Sequence, residues 1–418
     1  MKRATTPVRS RSRTKSLTKL GTMAGLQAAT LAAALCPAAL SAQTASEPSQ
    51  SESPMSLAKD GFFYVGGKYE TVDGHRYVTG QMYVEYRVPS NQTHPYPIIM
   101  VHGGTRTGTT YTGTPDGREG WAQYFVRQGY AVYVVDQPGR GRSGYLDKTY
   151  GPQRHADAQS AEKRYLREED AKLWPQAHLH TQWPGTGKPD DPVTMAMVAS
   201  FVPEIQDFNK QQVLNRDALV ALLEKIGPSV LMVHSQAGAF VWPVADAKPD
   251  LVKGIVAVEP NGPPAHRVEF VGAPEWFKYG KLTAPYGLTS LPLTYDPPVK
   301  DASELKFVQQ EKADGEGLVR CYAQAEPARQ LPNLKKMPIL LVSSEASYHA
   351  PYDHCTVKYL EQAGVKPTFM KLADLGIHGN SHVMMQEKNS KDIAAAMAGW
   401  LDKAVTAPTQ KHADKETK

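Results

Sequence analysis

Five short apolar runs, each ending in polar residues, constrain the fold of this chain more than any other feature. Tyr96-Pro97-Ile98-Ile99-Met100-Val101 leads into a glycine turn, Ala131-Val132-Tyr133-Val134-Val135 ends at Asp136, and Ser229-Val230-Leu231-Met232-Val233 ends at His234-Ser235. Gly254-Ile255-Val256-Ala257-Val258 ends at Glu259, and Pro338-Ile339-Leu340-Leu341-Val342 ends at Ser343-Ser344-Glu345. Continuous runs rich in β-branched residues fit strands covered on both faces of a parallel sheet. Helices are expected between them, at Val213 to Lys225 before Gly227-Pro228 and at Ser390 to Lys403. The expected class is therefore α/β, a mostly parallel central sheet flanked by helices. Because each run ends in polar side chains, the chemistry should gather at the carboxyl edge of that sheet.

Two stretches, 144–212 and 260–336, are too long for simple crossovers and are rich in Pro, Trp, Tyr and His. They read as cap or lid insertions over the sheet edge. Polar segments at 43–59 and 404–418 read as a linker and a tail, leaving a domain at 60–403. Residues 1–42 hold seven basic side chains and no acid, then the apolar segment Met23 to Leu35 and the small-residue exit Leu40-Ser41-Ala42. This is the pattern of a secretory signal peptide, cleaved after Ala42. The apolar segment is 13 residues long, against the ~20 a spanning helix requires. The formal net charge of +5 resides in this leader, because the rest of the chain carries 40 basic against 42 acidic groups. The charge thus points to secretion or a periplasmic address, to no nucleic-acid or membrane partner, and to a small uncharged substrate. In an oxidising compartment Cys321 and Cys355 can pair.

The sharpest local signal is Leu231-Met232-Val233-His234-Ser235-Gln236-Ala237-Gly238, a strand running directly into a serine among small residues. A strand, a sharp turn and a helix hold a nucleophilic hydroxyl above a sheet. The usual G-x-S-x-G pattern is not met, since Val233 and Ala237 stand at the flanking places. A serine capping the following helix is the plain alternative. Serine is a weak nucleophile until a base removes its proton, and that base needs an acid to orient it. Glu259 and Glu345, both ending strands, are the candidate acids. His382 and His378, both in Leu375-Gly376-Ile377-His378-Gly379-Asn380-Ser381-His382, are the candidate bases, with His382 the better placed. Donors for a developing oxyanion are expected from the backbone N–H groups of Gly104, in His102-Gly103-Gly104-Thr105, and of Gln236.

Taken together these residues resemble the α/β-hydrolase superfamily, and within it the secreted bacterial esterases that use Ser, Glu and His. The resemblance runs from about Gly61 to Trp400. It is carried by His102-Gly103-Gly104, by Thr114-Pro115-Asp116-Gly117-Arg118-Glu119-Gly120-Trp121, by Asp136-Gln137-Pro138-Gly139-Arg140-Gly141-Arg142-Ser143, by His234-Ser235-Gln236 and by Gly379-Asn380-Ser381-His382. It implies an α/β-hydrolase fold, with Ser235 as nucleophile, Glu259 as acid, His382 as base, and no cofactor or metal. It departs at Gly104-Thr105, where one such esterase has an adjacent cysteine pair. The implied activity is cleavage of carboxylic esters through an acyl-enzyme, with a lactonase or amidase using the same three residues as alternatives.

Three rival readings are weaker. Gly139-Arg140-Gly141-Arg142-Ser143-Gly144 is formally G-x-G-x-x-G, but no helix opens from it and no acid-ended strand follows about 20 residues on. His349, Asp353, His354, His378 and His382 could ligate a metal, but their spacing matches no common site and Pro351 interrupts them. A non-catalytic binding protein on a hydrolase scaffold would not need to keep all three of Ser235, acid and histidine. Trp174, Trp183, Trp242, Trp276, Phe277 and Tyr279 are the candidate lining of an apolar pocket.

Overall fold

The computed structural model describes residues 53–405. The expected leader, most of the expected linker and all but the first residues of the expected tail lie outside them. Eight strands form one sheet: β1 (Leu57–Val72), β2 (His75–Pro89), β3 (Ile98–Val101), β4 (Val132–Asp136), β5 (Ser229–His234), β6 (Val252–Val258), β7 (Ile339–Ser343) and β8 (Thr368–Lys371). Their spatial order is β1-β2-β4-β3-β5-β6-β7-β8. Every neighbouring pair from β4 to β8 is parallel, whereas β2 runs antiparallel to β4 and to β1. All five expected strands are present, and β3, β5 and β7 are buried along their whole length.

The hairpin β1–β2 was not anticipated. Much of each strand is exposed or half-buried, with alternation over Gly61–Val65 in β1 and burial centred on Met82–Val84 in β2, so neither reads as a continuous apolar run. The local signal is Asp73-Gly74, where both residues take positive φ, 51° and 79°, as a type I′ hairpin turn requires. β1 also begins at Leu57, inside the segment expected to be linker. β8 was missed because, as an edge strand, it is only half-buried.

Helix α1 (Trp121–Arg127), α2 (Phe208–Ile226), α3 (Gly238–Ala247), α4 (Asp353–Gln362) and α5 (Ser390–Ala404) cover the two faces. α2 begins five residues ahead of expectation because the Asp207 side chain caps it, accepting from the Lys210 N–H. One apolar core packs α2 and α3 on the sheet through Leu219, Leu222, Phe240 and Trp242, and the other packs α1 and α5 through Trp121, Phe125, Ile393 and Met397. The two insertions hold short helical turns, including Pro192–Ala199, and a hairpin of His266–Gly272 with Trp276–Leu282. Cys321 and Cys355 form a disulfide that ties the second insertion to α4. No helix among the described residues is long and apolar enough to cross a membrane.

Candidate active site

Parallel strands that start together also end together, so the residues after β5, β6 and β7 converge at one edge. Ser235 leaves β5 with φ 54° and opens a single 3₁₀ turn, Ser235–Ala237, that feeds α3. A non-glycine residue held at positive φ costs on the order of 1–3 kcal/mol, and the position persists only where its surroundings dictate it. Here the Ser235 carbonyl accepts from the Asn261 N–H at 2.7 Å. The acid-bearing turn crosses so close to α3 that a side chain at Gly238 would meet Pro260 Cβ at 2.4 Å. The strict small-residue requirement therefore falls on Gly238, one place later than in the usual pattern.

Glu259 follows β6, is fully buried, and also has positive φ, 40°. Its Oε1 accepts from the Ser344 N–H at 2.9 Å and the Ser344 hydroxyl at 2.6 Å, and its Oε2 accepts from the Ser347 hydroxyl at 2.7 Å. His382 Nδ1 donates to Glu259 Oε2 at 2.6 Å. That fixes the tautomer, leaving His382 Nε2 as an acceptor, 2.8 Å from Ser235 Oγ. His234 Nε2 donates to the His382 carbonyl at 2.8 Å and so anchors the backbone of that residue.

The rival pair lies apart. Glu345 accepts from the Gly379 N–H at 2.6 Å and bonds His378, whose side chain is exposed. His349 bonds Asp353 at 2.9 Å instead of joining His354 and His378 in a shared cluster. The segment weighed as a dinucleotide loop is tied into the fold: Asp136 receives the Gly108 N–H, and the Arg142 guanidinium and N–H.

A model described as the Alpha/beta hydrolase family matches residues 98–396. The chain belongs to that family. The hydrolase is 43% identical over 349 residues to "Probable secreted lipase phiG" of a fungal species (strain ATCC 74256), spanning 82% of this chain and 89% of that one. It is similar to the solved structure of "a Novel Bacterial Esterase", with a TM-score of 0.54 and 25% identity over 86% of this chain and 100% of that one.

Two cavities of about 510 Å³ each meet at Ser235 in the hydrolase. One is walled by Trp174, Val268, Phe270, Tyr348 and Tyr352. The other is walled by Gly103, Gly104, Arg106, Tyr165, Phe201 and Gln236. Of the aromatic residues expected to line a pocket, Trp174 alone does so. Trp183 and Trp242 belong to the two cores, and Phe277 and Tyr279, on the cap hairpin, pack with Phe270 and the disulfide. Tyr348 was missed; its hydroxyl stands 3.0 Å from His382 Nε2. Its signal is its place in Ser343-Ser344-Glu345-Ala346-Ser347-Tyr348, just past the end of β7.

The hydrolase also surrounds its glycine loop with a network the sequence reading did not foresee. The Gly103 carbonyl lies 2.9 Å from Arg140 Nη1 and 2.9 Å from His102 Nδ1. His102 donates there because its Nε2 accepts the Gln137 N–H at 3.1 Å, and burial pushes its pKa down to about 4. A peptide unit is planar and trans, so fixing the Gly103 carbonyl turns the Gly104 N–H the opposite way. Arg140 pairs with buried Glu204 at 2.6 Å, and Glu204 in turn accepts from the Thr105 N–H at 2.8 Å and the Gln236 side chain at 3.3 Å. A side chain at Gly103 would meet Ser235 Cβ at 3.0 Å, which measures how tightly this loop lies against the serine.

His382 is held well below the usual imidazole range, first by burial and then by His349, Arg106 and Arg164. It is therefore neutral at rest and able to accept a proton. The loop that carries it is gripped from both sides. Glu387 accepts from the Asn380 side chain at 2.6 Å and the Ser381 N–H at 3.0 Å, and the Gly379 carbonyl accepts from the Thr181 N–H of the first insertion at 2.9 Å.

Proposed function

We propose that the hydrolase is a secreted or periplasmic serine hydrolase that cleaves carboxylic esters through a covalent acyl-enzyme, with Ser235, Glu259 and His382 as its catalytic residues. The observation that carries this reading is the continuous hydrogen-bond chain from Ser235 Oγ through His382 to Glu259. His382 takes the Ser235 proton as Oγ attacks the ester carbonyl carbon, and Glu259 stabilises the imidazolium that forms. The negative oxygen of the tetrahedral intermediate accepts from the N–H groups of Gly104 and Gln236. Collapse breaks the bond to the alcohol, which leaves with the proton from His382. Water, deprotonated by His382, then attacks the acyl carbon and releases the acid and Ser235.

The relative named a secreted lipase and the similar structure named an esterase support the ester as the bond cleaved. The leader pattern, together with a disulfide between Cys321 and Cys355, supports export to an oxidising compartment. The test is labelling by a serine-directed fluorophosphonate, read by mass spectrometry, beside hydrolysis of a panel of esters and amides. Labelling is expected at Ser235 and absent in Ser235→Ala. A folded wild type that takes no label and cleaves no ester overturns the reading.

A further inference from the structure

The cavity on the glycine-loop side is lined by four arginines: Arg106, Arg154, Arg164 and Arg267. Arg154 shares the Glu204 carboxylate with Arg140. Asp157, in the same wall, spends its carboxylate on the Ser160 N–H and hydroxyl. Arg106 is different, being 6% exposed. Its Nη1 donates to the Ser200 hydroxyl at 3.3 Å, its guanidinium lies 4.5 Å over the Phe201 ring, and its Nη2 has no hydrogen-bond partner within the protein. Burial, partly opposed by Tyr165, pushes its pKa down to about 10. A cation removed from water without a carboxylate beside it is costly to hold, so its retention in the wall of a cavity points to an anion brought by a ligand. Arg164 stands at the rim of both cavities, its guanidinium 5.7 Å from the Tyr348 ring centre. The opposite cavity presents the rings of Trp174, Phe270 and Tyr352, with Glu269 beside Arg267, which lines both cavities.

We propose that the substrate is an ester bearing a carboxylate, which Arg106 grips with its guanidinium fork while Arg164 guards the entrance and the aromatic cavity takes the other half. This rests on the esterase reading. A planar fork matches a carboxylate in two parallel hydrogen bonds, which gives orientation as well as attraction. The expectation of an uncharged substrate is thereby revised: it came from the charge balance of the whole chain, which is blind to a local excess of arginine.

The test uses two matched pairs on the full-length protein: mono-para-nitrophenyl glutarate against its neutral methyl ester, and para-acetoxybenzoate against its methyl ester, with spontaneous hydrolysis subtracted. One pair places the anion on the acyl half and the other on the alcohol half. A charge-assisted hydrogen bond predicts a kcat/KM about tenfold or more higher for the charged member of one pair. In Arg106→Gln that ratio falls toward one, with Arg106→Lys intermediate. Should Arg106→Gln fail to fold, Arg164→Gln at the exposed rim is expected to lower the ratio, and calorimetry of glutarate binding to Ser235→Ala is expected to detect the anion. A wild-type ratio at or below one in both pairs overturns the proposal while leaving the esterase reading intact. A high ratio that survives in folded Arg106→Gln overturns the assignment to Arg106. Failure to cleave any member, with no fluorophosphonate label, overturns the esterase reading itself.

Discussion

Glu345 and His378 bond each other, Oε2 to Nδ1 at 3.1 Å, and so form an acid–histidine pair that stands apart from the one facing Ser235. One loop supplies both histidines, but the acids follow different strands, Glu345 after β7 and Glu259 after β6, and only Glu259 and His382 are buried together beside the serine hydroxyl. Replacing Glu259 by Gln is expected to lower kcat by roughly 10⁴-fold and replacing His382 by Ala by up to roughly 10⁶-fold, as when an orienting acid or a base is lost. His378→Ala and Glu345→Gln should stay within a few-fold of wild type, since they act on an exposed loop. Steady-state kinetics on one ester suffices, and the opposite ranking would reassign the acid and the base.

The pH profile follows from the environment of His382. A base works only while neutral, and burial together with His349, Arg106 and Arg164 holds this imidazole well below its usual range. Activity should therefore persist on acidification past ~6.5, the value of a free histidine, and fall only at lower pH. Removing a cation favours the imidazolium, so Arg106→Gln should move the acidic limb of kcat/KM upward. The profile should be taken with a neutral ester, and a wild-type limb at or above ~6.5 would count against this account.

Arg140 and Glu204 are expected to act through the glycine loop, holding the Gly103 carbonyl, the Thr105 N–H and the Gln236 side chain. Arg140→Lys keeps a charge but loses the fork. It should lower kcat by about 10–100-fold with KM little changed, a loss of similar kind to that of an oxyanion donor. The Arg140–Glu204 pair is buried, so stability must be measured alongside. A rise in KM with kcat intact would show that the pair shapes substrate binding and not the oxyanion site.

The disulfide closes a loop across 34 residues of sequence separation. Chain-entropy arguments give about 3–4 kcal/mol for a loop of that length. The double substitution Cys321→Ser with Cys355→Ser should lower the stability to denaturant by about that amount. Tyr352, three residues before Cys355, lines the aromatic cavity, so KM for an aromatic ester is expected to rise as well. Unchanged stability would mean that packing alone holds α4 to the second insertion.

His180 lies buried between Glu168 at 3.0 Å and Glu387 at 3.1 Å. Burial opposes its charge, but the two carboxylates beside it raise its pKa to about 10. A folded pKa above the unfolded value of ~6.5 stabilises the fold fully below ~6.5 and loses that contribution as pH rises toward 10. Thermal melts should show Tm falling over this window, and less so in His180→Gln. Because Glu387 also holds Asn380 and Ser381, activity on the alkaline side should fall along with it.

Much of the candidate site was readable because parallel-sheet strands announce themselves: Asp136, Ser235, Glu259 and Ser343 each end a continuous apolar run, and a parallel sheet must bring such ends to one edge. The hairpin β1–β2 was not, because one face of an antiparallel strand can be wet and its pattern then alternates. Arg106 was silent, and Arg140 stood in a quoted segment without showing its role. A lone arginine in a loop looks the same whether it faces water, an ion pair or an empty wall, since burial and partner are properties of distant segments.

By itself the sequence determined the class of fold, the edge at which chemistry gathers, and a short set of candidates: one serine, two acids and two histidines. Those follow from local chemistry, from apolar runs that must be covered on both faces and polar residues that must end them. Which acid meets which histidine was decided only in three dimensions, where Ser344 and Ser347 bury and fix Glu259 while Glu345 turns toward the exposed loop. The charge of the cavity was likewise decided there. Net charge sums over the whole chain, whereas the interaction with a ligand falls off over a few ångströms and is set by the few groups the fold brings to one wall.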